Sequence, residues 1–297
     1  MKTLAKIGCA CAFLLPVPVQ AADSRPVLEP TGNWVLDYAE ERCSLNRRFA
    51  VGDKWLHLRI DSYGSRQSYS LMMFGSAVPG SVGADQEIRY KLSPDAGSRD
   101  ARALAGRYER DSSLVIPIMF KPREDEPDWA RLSREERLEF AATPEKPDIE
   151  FEREVSSLEL SLWRGRRFTL ALGSMGKPLE AMRVCVDNLL SSWGLDADQQ
   201  ATLTRAAAPL PRTVRAVQAR YPTSMLLSGT NGLVPVRIMV DALGSATSCV
   251  VQVDSVEDAF ERAVCDGLTG AYQPALDSRG APVASVYRTS VIYIIQG

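Results

Sequence analysis

The sequence predicts an α+β protein. A β-rich N-terminal domain with a helical insertion and C-terminal helices spans residues 22–208, and a small ββαβ domain spans residues 209–297. Three observations lead there. Short runs of alternating apolar and polar residues recur from Asn33 to about Leu172. An apolar stripe at helical spacing follows between Leu179 and Leu190. The last third orders two alternating strands, one amphipathic helix and a final β-branched run.

Met1 to Ala21 has the parts of a secretory signal: Lys2 and Lys6, an apolar run too short to span a bilayer and broken by Pro16 and Pro18, and small residues before Ala22. The expectation is cleavage near Ala22 and a chain without an integral membrane anchor. The N-terminal strands are then read from "WLHLRID", "QSYSLMMF", "EIRYKL", "SLVIPIMF", "LELSLW" and "RRFTLAL", which carry β-branched or aromatic residues between Gly/Ser clusters. In the first of these Leu56, Leu58 and Ile60 share one face, and Trp55, His57 and Arg59 the other. Residues 121–148 are rich in charge and read as a surface helical insertion, which Pro127 can open. Trp34, Trp55 and Trp129 are assigned to core packing.

The helix at 176–194 places Leu179, Met182, Val186, Leu189 and Leu190 on one side, with Gly194 as its stop. A shorter helix is expected from Asp196 to Ala206, and a domain boundary near Pro209–Pro211. Beyond it, Val234, Val236, Ile238 and Val240 share a strand face. Pro235 lacks a ladder donor, which reads as an edge or an irregular start. Asp241 to Gly244 is a turn, Cys249, Val251 and Val253 mark the next strand, and Ser255 is the expected N-cap of a helix from Val256 to Leu268. Residues 285–295 form the last strand.

Four cysteines follow the signal: Cys43, Cys185, Cys249 and Cys265. An even count in an exported chain points to disulfides, with three connectivities open. Keeping each bridge inside one domain gives Cys43–Cys185 and Cys249–Cys265; free core cysteines are the alternative for the second pair. No CxxC spacing supports zinc or redox chemistry. The net charge of -2 carries no footprint for nucleic acid. His57, the one histidine, has no nucleophile-elbow motif to serve, and no phosphate loop or acidic calcium loop is present. No catalytic residue, metal or cofactor is expected.

The order Tyr221-Pro222, "GTNGLVPVRIMVDALGSATSCVVQVDS", "AFERAVCDGLTGAYQPALDSRGAPV" and a terminal strand resembles the C-terminal domain of TonB, the transducer that links the inner membrane to outer-membrane receptors. The resemblance covers roughly residues 212–297. It implies a periplasmic protein-interaction module that binds a receptor segment by adding it as a strand to its sheet. The last strand is then the recognition edge. The implied partner-binding residues are Tyr221, Pro222, Arg288, Ser290, Ile292 and Ile294, and a second copy of the chain is a further candidate for that edge. The chain departs from a full transducer in having no long Pro-rich spacer. The alternative reading is an exported enzyme whose site lies in the β-rich domain.

Overall fold

A computed structural model describes residues 25–80, 83, 85–95, 97–125, 131–253 and 256–295. The expected signal, Pro127, Trp129 and the expected N-cap Ser255 lie outside the described residues. The alternating runs become β1 (Val27–Pro30), β2 (Val35–Tyr38), β3 (Cys43–Val51), β4 (Lys54–Ser62), β5 (Ser68–Phe74), β6 (Asp85–Leu92), β7 (Arg99–Tyr108), β8 (Asp111–Met119), β9 (Ser157–Ser161) and β10 (Arg167–Ala171). Their order in the sheet is β1-β10-β9-β6-β7-β8-β5-β4-β3, and β3 then pairs with β1. β1 runs parallel to β10, with Val27 opposite Thr169, and antiparallel to β3, with Pro30 opposite Phe49. The sheet thus closes into a nine-stranded mixed barrel. β2 extends the pairing along β3 where β1 stops, ending with Tyr38 opposite Cys43.

This corrects the expected fold class. The protein is mostly β, 40% strand against 25% helix, around a closed barrel; it is not an α+β chain ending in a small ββαβ domain. Alternation marks a strand and its buried face, but not its partner. The closing strand β1 is four residues long, and both of its pairings are non-local.

The period-two pattern sends Leu45, Phe49, Leu56, Leu58, Ile60, Leu71, Met73, Leu114 and Ile116 into the buried core. Trp55 faces out from the barrel wall, edge-on to Phe74 and under the Arg48 guanidinium, rather than into the core. Between β8 and β9 the charged insertion forms α1 (Arg134–Ala141) and α2 (Ile149–Glu154). α1 opens on a capping box: Glu136 N–H donates to Ser133 Oγ and Ser133 N–H to Glu136 Oε2. α3 (Gly176–Ser192) buries Leu179, Met182, Val186, Leu189 and Leu190 against the barrel core. Cys185 of α3 is bonded to Cys43 of β3. α4 (Ala197–Ala201) follows, capped by the Asp196 carboxylate.

The remaining elements are β11 (Ala208–Pro209), α5 (Pro211–Gln218), α6 (Thr223–Leu227), β12 (Gly232–Val240), β13 (Ala246–Val251), α7 (Asp258–Leu268), β14 (Tyr272–Gln273), β15 (Ala275–Leu276), β16 (Pro282–Val283) and β17 (Ser285–Tyr293). β13, β12 and β17 form an antiparallel sheet in that order. α7 covers one face, where Phe260, Val264 and Leu268 meet Val234, Val236, Ile238 and Val240. α5 crosses α7 closely at Gly267, where a Cβ would lie 2.6 Å from Val217 Cα. Cys249 of β13 is bonded to Cys265 of α7.

Pro235 stands in the central strand, not at an edge or an irregular start. Its carbonyl accepts from Gln252 N–H at 2.9 Å, so its missing donor belongs to the β13 side. The ladder to β17 is untouched by it.

The other face of this sheet lies on the barrel. Arg237 donates to both carboxylate oxygens of Glu41 at 2.6 and 2.7 Å and stacks over Trp193, 4.7 Å from its centroid. Gln252 donates to the Glu41 carbonyl at 3.1 Å. Gly64 gives Trp193 its place: at φ +89°, a Cβ there would sit 2.7 Å from the indole. Val286 of β17 joins the barrel core.

The two disulfides close loops of very different length, 142 and 16 residues of separation. Loop entropy assigns about 5 kcal/mol to the first and about 3 kcal/mol to the second. Urea unfolding of Cys43→Ser/Cys185→Ser and Cys249→Ser/Cys265→Ser proteins should therefore show the larger loss for the barrel bridge. The reverse order would contradict the assignment of the barrel bridge as the stronger clamp.

Candidate functional site

A strand at the border of a sheet presents every second residue's N–H and C=O to the outside. The β12 register shows which residues do so in β17. Pro235 turns its carbonyl to β13, so Val234 and Val236 turn theirs to β17 and exchange bonds with Val291 and Thr289. Pro235 faces Ser290 across a non-bonded pair, and Arg237 faces Arg288 likewise. The backbone groups of Arg288, Ser290 and Ile292 consequently point away from the sheet. Among the described residues nothing pairs with them.

These residues open on a groove of about 480 Å³. One wall is β17 itself, through Val286 to Ser290 and Ile292, with Leu233 and Pro235 of β12 beside it. The opposite wall is the outside of the barrel, where β5, β7 and β8 contribute Ser70, Leu104, Val115 and Pro117. α1 forms the third wall, through Arg137, Phe140 and Ala141. Cross-strand partners share a face, so Arg288, Ser290 and Ile292 direct their side chains to the barrel side, as Arg237 does. Ser290 is exposed, and Ile292 retains 51% exposure. The outward amides and the outward side chains therefore meet in one place.

The arginines of the groove are engaged: Arg137 donates through Nε to the Leu132 carbonyl at 3.2 Å. Arg288 donates to Glu145 Oε1 at 2.9 Å, and the same carboxylate accepts from Ser65 Oγ at 2.6 Å and Arg66 N–H at 2.8 Å. Arg102 donates to Asp85 Oδ1 at 3.0 Å. The remaining lining is apolar or hydroxylic, with amide side chains at Gln67 and Gln252.

Of the residues expected from the sequence, the structure brings Arg288, Ser290 and Ile292 together in this groove. Ile294 lies just beyond the end of β17. Tyr221 and Pro222 stand elsewhere. Tyr221 packs on the α7 face against Tyr293 and Phe260, with ring centroids 5.2 and 6.1 Å away, and its hydroxyl donates to the Thr230 carbonyl at 2.8 Å. Pro222 caps α6. Leu104, Val115, Pro117 and Phe140 were missed. A signal existed in "SLVIPIM", whose apolar residues on both faces mark a strand with a covered outer side.

His57 is a wall residue of the barrel exterior, stacked on Phe74 at 4.9 Å with Nε2 3.2 Å from Asn46 Oδ1. Burial, with the Arg59 and Arg48 guanidiniums nearby, holds its pKa below the ordinary histidine value. Among the described residues no cluster of three His, Cys, Asp or Glu side chains could hold a metal ion.

The parity of β17 predicts two classes of proline variant. Ser290→Pro removes an outward donor and should cost less than about 1 kcal/mol. Thr289→Pro or Val291→Pro removes a bond to β12 and should cost about 1–3 kcal/mol. Urea unfolding of the three proteins checks this; equal losses at Ser290 and Thr289 would refute the assigned register.

No family model, curated protein or solved structure matches the chain.

Proposed function

We propose that the protein is an exported binding protein that captures an extended segment of a partner by adding it as a strand to β17. The observation that carries this is the row of N–H and C=O groups on Arg288, Ser290 and Ile292, which have no partner among the described residues and open on a groove. Such groups are satisfied by water until an extended chain replaces it, and each replacement adds a directional bond. Affinity then comes mainly from the ladder, and selectivity from the groove walls.

Two disulfides fit an oxidising compartment. Among the described residues no helix is long and apolar enough to cross a membrane. The resemblance to the TonB C-terminal domain supports the periplasm as that compartment and a segment of an outer-membrane receptor as the partner. The chain would serve recognition on the receptor side of transport.

Titration of synthetic outer-membrane receptor peptides into the isotopically labelled protein tests this. Amide shifts should concentrate at Arg288, Ser290 and Ile292. Ser290→Pro should weaken binding at least tenfold while the protein stays folded. Unchanged affinity in that variant would overturn the reading.

A further inference from the structure

We infer that the barrel wall reads the bound segment, so that the groove admits one extended chain with uncharged apolar side chains at every second position. The inference rests on the reading of β17 as a strand acceptor and adds to it the class of segment accepted. A strand added antiparallel to β17 places a residue opposite each of Arg288, Ser290 and Ile292. Opposed residues share a face. Those partner side chains therefore point where Arg288, Ser290 and Ile292 point, toward the barrel wall.

The chemistry of that wall fixes what it accepts. Leu104, Val115 and Pro117 face the groove, Leu233 and Ile292 flank it, and Phe140 closes it from α1. Of its three cations, Arg288 and Arg102 are engaged by Glu145 and Asp85, and Arg137 donates to the Leu132 carbonyl. A charged side chain entering here would lose water and find no unpaired counter-charge among these pairs, a net loss. A branched aliphatic side chain removes apolar wall from water and gains. Facing sheets stand about 10 Å apart, room for one layer of interdigitated side chains.

The three walls also decide between occupants. Edge-to-edge antiparallel pairing of two copies keeps both barrels on the same face of the joined sheet. Each barrel wall and each α1 would then compete for the space beside the partner's β17. A single chain has no such conflict.

The test uses the whole protein and two blocked octapeptides. One alternates Val and Ser. The other alternates Lys and Glu, which presents charge to the wall in either register while offering the same backbone. Binding is followed by amide shifts and by affinity. The Val–Ser peptide should bind at least tenfold more tightly and shift the amides of Leu104 and Val115 as well as those of Ser290 and Ile292. Val115→Lys and Leu104→Lys, both on the barrel exterior, should each reduce that preference. Equal affinity for the two peptides, with shifts confined to β17, would overturn the wall's role and leave the strand-acceptor reading standing. Absence of β17 shifts with either peptide would overturn the strand-acceptor reading and this inference with it. Sedimentation of the parent and Ser290→Pro proteins supplies the last arm. A dimer in the parent that the variant abolishes would overturn the single-chain claim, and monomers in both support it.

Discussion

The strand β1 holds the architecture together. Four residues long, it lies between β10 on one side and β3 on the other, and so turns an open sheet into a barrel. Closure is the one arrangement that leaves a sheet with no border. Its consequence reaches beyond the barrel. The long barrel strands pair in a closed ring, and among the described residues the borders lie on β2, on the three-stranded sheet and on the short pairs β11–β14 and β15–β16.

These borders differ in what they offer. β2 is four residues long. β13 carries a register shift opposite Met239 and Val240 and is tied to α7 by the Cys249–Cys265 bridge. β17 is nine residues long, pairs regularly with β12 along its whole length, and borders a groove. The docking of its sheet on the barrel creates that groove. Glu41 and Trp193 hold Arg237 of the sheet, and Arg288 with Glu145 anchors the segment after α1. Removing one partner of a hydrogen-bonded charge pair exposes the other to a desolvation cost, so these contacts resist separation. α1 has no fully buried residue of its own, and it lines the groove through Arg137, Phe140 and Ala141.

The sequence made the strands legible more than their partners. Leu56, Leu58 and Ile60 face inward as their alternation demands, and the stripe from Leu179 to Leu190 reaches the core. Both disulfides join the cysteines that a within-domain pairing selects. Barrel closure was illegible because pairings such as β1 with β10 leave no local mark in the chain. Pro235 misled for a different reason. Proline excludes a donor on one side only, and in the central strand β12 that side faces β13. The edge residues Arg288, Ser290 and Ile292 could be named from the last strand. The wall they face could not, because Leu104, Val115 and Phe140 reach it from three distant segments.

Native-state hydrogen exchange along β17 addresses the central claim, that its outer border is open in the free protein. An alternating pattern is expected. The amides of Ser290 and Ile292 should exchange rapidly, while those of Thr289 and Val291, bonded to β12, should be protected to the level of the sheet's own opening. Uniform protection across Ser290 to Ile292 would mean that the border is already occupied, and would contradict the account.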